Sequence, residues 1–171
     1  IVGGGVVGTN AAQMGIGLGS DVTVIDKNMS RLRYLDEIFG SRLKTCYATL
    51  ESIEEFAVEA DVVVGAVLIP GSTSPKLINR TTISKMKPGS VIYDLAASQG
   101  GNTACTKVDE EIDKNGVTIL GEKNILNKLP VSASNLFAKN LFNFVLNLYD
   151  SKSKKININM DDEIINKTLV K

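Results

Sequence analysis

The chain has 171 residues, enough for one domain with a substantial core. Hydrophobic residues make up 43% and charged residues 22%, the balance of an ordinary globular protein. Nineteen basic side chains offset nineteen acidic ones, which removes the electrostatic argument for nucleic acid or an anionic membrane as a partner. No apolar run reaches the length of a bilayer span and no signal-peptide pattern is present, so no direct membrane span is expected in this segment. Cys46 and Cys105 lie far apart and fit reduced structural thiols better than a disulfide framework or a metal site. Histidine, the commonest general acid–base, is absent, so no catalytic residue is expected here.

The first 26 residues organise the rest. Ile1-Val2 lead into Gly3, Gly5 and Gly8, which have G-x-G-x-x-G spacing. In a dinucleotide site the first glycine permits a tight turn, the second lets the backbone approach a pyrophosphate, and the third lets helix and strand pack closely. The helix that follows, Thr9 to Leu18, offers unpaired N–H groups and a partial positive charge to phosphate, and Gly19 can end it. The strand Asp21 to Ile25 then delivers Asp26, 18 residues after Gly8. That is close to the spacing of an acid that takes ribose hydroxyls.

Asn28 or Ser30 can cap the next helix, whose apolar positions Leu32, Leu35, Ile38 and Phe39 recur at helical spacing. Arg42 to Tyr47 reads as a strand and Leu50 to Glu59 as a helix. Asp61 to Leu68 is a continuous apolar run, suited to a parallel strand buried on both faces, and Ile69-Pro70-Gly71 stops it. A short helix is expected within Ser74 to Met86, then a buried strand from Ser90 to Leu95 and a small polar loop from Ala96 to Asn102. Thr103 to Asn115 is polar and irregular, and Gly116 to Leu120 is a sixth strand. Ser132 to Tyr149 makes a strong helix whose broad apolar face is expected in the core, and Ile156 to Met160 alternates as a short strand.

This alternation predicts an α/β fold, a doubly wound parallel sheet of the Rossmann type. With only two residues before the first turn, the chain reads as a fragment lacking an N-terminal domain and the start of its first strand. Residues 1–150 are expected to form the nucleotide-binding domain, and 151–171 a C-terminal extension that packs on the missing domain or a partner. Ligands of such sheets bind outside the carboxyl ends of the strands, where the loops converge. A carboxylate at Asp26 would accept hydrogen bonds from both ribose hydroxyls and repel a 2′-phosphate, favouring NAD over NADP. Lys27, Arg31 and Arg33 sit nearby, able either to accommodate a phosphate or to lie on the solvated face of their helix. Val67, Leu68 and Pro70 can wall the adenine or nicotinamide side. Ser98, Gln99 and Asn102 are the polar groups best placed for the nicotinamide end, and Asp94 is given no role.

Five stretches carry a family resemblance: Gly5-Val6-Val7-Gly8-Thr9-Asn10-Ala11-Ala12, Val22-Thr23-Val24-Ile25-Asp26, Gly65-Ala66-Val67-Leu68-Ile69-Pro70-Gly71, Ser74-Pro75-Lys76-Leu77-Ile78 and Met86-Lys87-Pro88-Gly89-Ser90-Val91-Ile92. They resemble the family of alanine dehydrogenase and the proton-translocating NAD(P) transhydrogenase α subunit. The resemblance implies an NAD(H)-binding Rossmann domain inserted in or following a second domain. Together with the motif and the converging loops it gives the candidate cofactor residues Gly3, Gly5, Val6, Val7, Gly8, Asp26, Lys27, Asn28, Arg31, Val67, Leu68, Leu95, Ser98, Gln99 and Asn124.

The first half, with Arg31-Leu32-Arg33-Tyr34-Leu35-Asp36, is more similar to alanine dehydrogenase. The second half, with Gln99-Gly100-Gly101-Asn102 and Ser132-Ala133-Ser134-Asn135-Leu136, is more similar to transhydrogenase. Alanine dehydrogenases carry a catalytic acid where this chain has Ser98, and their catalytic His and Lys belong to the substrate domain. Transhydrogenases have a longer loop before Leu68, with a tyrosine that closes over the nucleotide. Because the chain continues through Ile156 to Lys171, the expectation placed first is a transhydrogenase domain that positions NAD(H) for hydride exchange with an NADP(H)-binding domain or subunit. That reading implies a membrane proton channel in the same enzyme, a homodimer, and a place in the cytoplasm or mitochondrial matrix at the inner face of a membrane. The alternative is the cofactor domain of an NAD-dependent alanine dehydrogenase, which oxidatively deaminates L-alanine to pyruvate. A third is an NAD-sensing domain without turnover.

Overall fold

The computed structural model describes residues 1–170, which divide into a compact unit from Ile1 to Lys123 and a second that begins at Asn124. In the first unit the strands are β1 (Val22–Asp26), β2 (Leu43–Tyr47), β3 (Val62–Gly65), β4 (Val91–Asp94), β5 (Glu111–Lys114) and β6 (Val117–Leu120). The helices are α1 (Val6–Gly17), α2 (Met29–Phe39), α3 (Leu50–Glu59) and α4 (Arg80–Lys85). β1 pairs with β2, and β3, β4 and β6 pair in that order, all parallel. Val2 bridges Ile25 on one side and Gly65 on the other, so the opening residues stand between β1 and β3 and join the two halves of the sheet.

Helices cover both faces, as the period-2 pattern of the strands requires. Val22 and Val24 of β1 and Leu43 of β2 are buried with Ala12 of α1 and Leu35 of α2. Ile25 points the other way, into a cluster with Val63, Ile92, Val117 and Ile119 from the strands and Ile53, Ala57 and Ile83 from α3 and α4. Each such aliphatic side chain contributes about 1.5–3 kcal/mol by leaving water. The helix ends are fixed locally. Asn28 Oδ1 accepts the Arg31 N–H, Thr49 and Ser52 form a reciprocal capping box, and Asn79 Oδ1 accepts the Thr82 N–H. Each cap is worth about 1 kcal/mol. α1 closes at Gly19 (φ 81°), with Gly19 and Ser20 donating to Ile16 O and Gly15 O.

Four expectations from sequence are corrected. The strand predicted over 61–68 ends at Gly65, and its first residue, Val62, is 60% exposed rather than buried. The region 103–115 is not irregular throughout. Glu111–Lys114 forms β5, antiparallel to β6, with Lys114 opposite Val117 across the two-residue turn Asn115-Gly116. Both turn residues have positive φ, 58° and 81°, the backbone of a tight hairpin.

The other two corrections lie in the second unit. Its long helix, α5 (Pro130–Leu148), begins with Pro at its first position, where a missing N–H costs nothing. No residue of α5 is buried, and Leu136 and Phe137 are 66% and 65% exposed, so its apolar face is not core. The two-residue strands β7 (Tyr149–Asp150) and β8 (Lys155–Ile156) form a hairpin in place of the strand expected at 156–160. Asp162 caps α6 (Glu163–Thr168) through the N–H groups of Ile164 and Ile165.

Candidate nucleotide site

The glycine turn sits where the sheet's two halves meet, at the carboxyl ends of the parallel strands. Val2 N–H donates to Val64 O, Gly3 N–H to Ile25 O, and Ala66 N–H to Val2 O. Gly3 has φ 103°, and a Cβ there would stand 2.9 Å from both the carbonyl carbon and the oxygen of Ala66. A Cβ on Gly8 would stand 1.8 Å from Gly3 O, so helix and strand approach as closely as only glycine allows. Gly5 is different. Its φ is −63°, which any residue adopts, and a Cβ there would meet nothing within 4 Å. No side chain caps α1, whose leading N–H groups at Val6, Val7 and Gly8 have no acceptor within the helix. Gly5 thus opens the approach to a cluster of free donors, the arrangement an anion needs.

Asp26 closes the other side. Its Oδ2 accepts the Gly4 N–H at 2.6 Å and its Oδ1 the Asn28 N–H at 2.8 Å. A carboxylate offers about four lone-pair sites, so two remain for a ligand's hydroxyls. Asn28 caps α2 with its own side-chain oxygen, and Lys27 is exposed. Arg31 does not lie on a solvated helix face. It is half-buried and turned into the turn, where Nε donates to Gly4 O and Nη2 donates to Thr9 Oγ1 at 2.6 Å. Val67 lies against the turn too, its Cγ2 3.0 Å from where a Gly3 Cβ would be. Leu95 N–H donates to Gly65 O, at the end of the neighbouring strand.

The loops after β3 and β4 are joined by two side chains whose roles the sequence did not reveal. Asp94 is fully buried. Its Oδ1 accepts the Ala96 N–H, and its Oδ2 accepts the N–H groups of Asn102 and Thr103 and the Thr106 hydroxyl. Asn102, expected to face a ligand, is also fully buried. Its carboxamide accepts from Val67 N–H at 3.0 Å and donates to Val67 O at 2.9 Å and Pro75 O at 3.2 Å. No polar atom of that side chain is left for a nucleotide. Gly101 (φ 80°) leaves room for this network, because a Cβ there would stand 2.6 Å from Asp94 Oδ2.

Ser98 and Gln99 sit exposed on a short 3-10 turn, Ala97–Gln99, and Leu68 is exposed beyond Val67. The structure brings Gly3, Gly5, Val6, Val7, Gly8, Asp26, Asn28, Arg31 and Val67 together around one turn. Asn124 is instead the first residue of the second unit, exposed ahead of the 3-10 turn Ile125–Lys128. Both cysteines are free, and no group of His, Cys, Asp and Glu suited to a metal occurs among the described residues.

The family described as alanine dehydrogenase/PNT, C-terminal domain, matches residues 1–171. The chain belongs to this family. It is an NAD(H)-binding domain of an oxidoreductase family, on a Rossmann-type sheet. Among relatives, it is 54% identical over 101 residues to an alanine dehydrogenase of Bacillus subtilis (strain 168), a match covering 59% of this chain and 27% of that protein. Among solved structures, an L-alanine dehydrogenase superposes with TM-score 0.81 at 32% identity, covering 97% of this chain and 51% of that one. A transhydrogenase from Sinorhizobium meliloti superposes with TM-score 0.77, also at 32% identity, covering 84% and 42%. The chain therefore spans about half or less of the proteins it matches. No described helix is long and apolar enough to cross a membrane.

Proposed function

We propose that this chain is the cofactor domain of an NAD-dependent alanine dehydrogenase, the enzyme that oxidatively deaminates L-alanine to pyruvate. The transhydrogenase reading, placed first on sequence grounds, moves to second. The relatives named alanine dehydrogenase reach 54% identity, whereas transhydrogenase enters through a structural likeness at 32%. For the site, the carrying observation is Gly5: an open glycine with no conformational need to be one, above the uncapped start of α1 and beside Asp26.

In this reading the N–H groups of Val6, Val7 and Gly8 hold the pyrophosphate, and Asp26 accepts from the ribose hydroxyls and disfavours a 2′-phosphate. Lys27 and Asn28 border the ribose. Val67, Leu68 and Leu95 wall the bound nucleotide, and Ser98 and Gln99 border its nicotinamide end. NAD itself supplies the hydride acceptor; the domain's contribution is position. Ser98 stands where the resemblance puts a carboxylic acid, so this position supplies no carboxylate for proton transfer, a departure that weighs toward the second reading. A domain of the transhydrogenase type would bind the same nucleotide and pass hydride to NADP(H) held by a partner domain. The structural likeness and the Gln99-Gly100-Gly101-Asn102 stretch favour that second reading.

One assay separates the two. Full-length protein is given L-alanine with NAD, and separately NADPH with an NAD analogue. Alanine-dependent NADH formation without analogue reduction is the expected result. Analogue reduction without alanine oxidation would overturn the alanine dehydrogenase reading.

A further inference from the structure

Among the described residues, Arg31 is the cationic side chain built into the glycine turn, opposite the Asp26 carboxylate. Gly4 is gripped from both ends of its residue: Asp26 Oδ2 accepts its N–H and Arg31 Nε donates to its carbonyl. Gly4 is also confined sideways, because a Cβ there would stand 3.0 Å from Leu35 Cδ1 and 3.2 Å from Val24 Cγ1. The same guanidinium donates through Nη2 to Thr9 Oγ1, and that hydroxyl in turn donates to Gly5 O at 2.8 Å. Its outer face is occupied as well, with Cζ 4.9 Å from the centre of the Tyr34 ring. Arg31 begins one residue beyond Ser30 on the first turn of α2, so a planar fork there ties the start of α2 to the start of α1.

We propose that Arg31 is a positioning residue for the cofactor turn and not a reader of a 2′-phosphate. This rests on Gly3 to Gly8 being the NAD(H) turn. The guanidinium fixes the Gly4 carbonyl and Thr9, and thereby the direction in which the Val6, Val7 and Gly8 N–H groups point. With the Nε–Nη2 edge committed to Gly4 O and Thr9 Oγ1 and its face to Tyr34, the side-on fork is not the group that would pair with a phosphate beside Asp26. Cofactor choice then resides in the Asp26 carboxylate, while Arg31 governs affinity for either nucleotide alike.

The test uses full-length protein with Asp26→Ser, Arg31→Met and the double variant, plus Arg31→Lys. NADH and NADPH affinities are read by nucleotide fluorescence, and amide hydrogen exchange of residues 4–9 is read without nucleotide. Arg31→Met is expected to weaken NADH and NADPH by the same factor, about tenfold for the loss of charge-assisted hydrogen bonds. Arg31→Lys restores the charge but not the fork and recovers only part of the loss. Exchange at residues 4–9 rises in Arg31→Met. The proposal is overturned if, in the Asp26→Ser background, Arg31→Met weakens NADPH by a clearly larger factor than NADH, or if exchange at residues 4–9 is unchanged. Absence of NADH binding by the wild-type protein would refute the NAD(H) reading instead, and the exchange result would still decide whether Arg31 braces the turn.

Discussion

Gly5 and Gly8 lie three residues apart on one turn, yet replacing each by alanine should produce opposite failures. Gly5 has φ −63° and ψ −164°, open to any residue, and its new methyl would touch no protein atom within 4 Å. Alanine gains about 0.4–1 kcal/mol by restricting the unfolded chain and gives back a similar amount as a poorer helix cap. The net is within about 1 kcal/mol, a melting shift within about 2–4 °C for a chain of this size. In the proposed site that methyl would fill the space through which a pyrophosphate approaches α1, so nucleotide affinity should fall at least about tenfold, or about 1.4 kcal/mol. Gly8→Ala puts a methyl 1.8 Å from Gly3 O, an overlap with backbone that no rotamer relieves. Its cost should reach at least about 3 kcal/mol, the upper end of ordinary overpacking. That lowers the melting temperature by about 6–12 °C. Calorimetric melting and NADH fluorescence titration of both variants separate the two effects. Wild-type NADH affinity in Gly5→Ala would refute the functional reading of Gly5, and a wild-type melting temperature in Gly8→Ala would refute the packing argument.

Asp94→Asn keeps the shape of the side chain but turns an N–H₂ toward donors it must face, since Oδ2 now accepts from Asn102, Thr103 and Thr106. Denaturant unfolding should show a loss of about 2–4 kcal/mol, and an unchanged midpoint would mean the loop network contributes little. Tyr93 makes a pH prediction. Burial, then the hydrogen bond and negative charge of Glu122, push its hydroxyl from 10.0 up to about 12. Because folding holds this proton more tightly, the associated stability is present below about pH 10 and is lost as pH rises through about 12. Tyr93→Phe should remove that component of the alkaline loss; an identical profile in the variant would assign it elsewhere.

Much of the first unit could be read from sequence because its signals are local. The glycine spacing, the acid that ends β1, the Asn28 cap and the terminating Gly19 all act within a few residues, and each is found where expected. The strand β5 was missed because Glu111-Ile112-Asp113-Lys114 has one half-buried apolar residue and forms only by pairing with β6. Its turn did carry a signal, Asn115-Gly116, the pair most suited to a two-residue hairpin. The roles of Asp94 and Asn102 are not legible in the sequence for a different reason. Their partners lie on loops distant in sequence, Asn102 and Val67 being 35 positions apart, and a buried carboxamide looks like an exposed one when only residue type is known. The exposed face of α5 shows the limit of periodicity: a helical apolar stripe says that a face is sticky, not what covers it.

If the turn from Gly3 to Gly8 holds NAD(H), Asp26 is the residue that chooses it over NADP(H). The direct measurement is equilibrium titration of the full-length protein with NADH and, in parallel, NADPH, for the wild type and for Asp26→Asn. Because Asp26 also accepts from Gly4 and Asn28, the ratio of the two affinities is the quantity to compare, since loosening of the turn affects both nucleotides alike. The expected result is a wild-type preference for NADH of at least about tenfold that largely disappears in Asp26→Asn. Equal wild-type affinities, or a preference that survives in Asp26→Asn, would contradict the account.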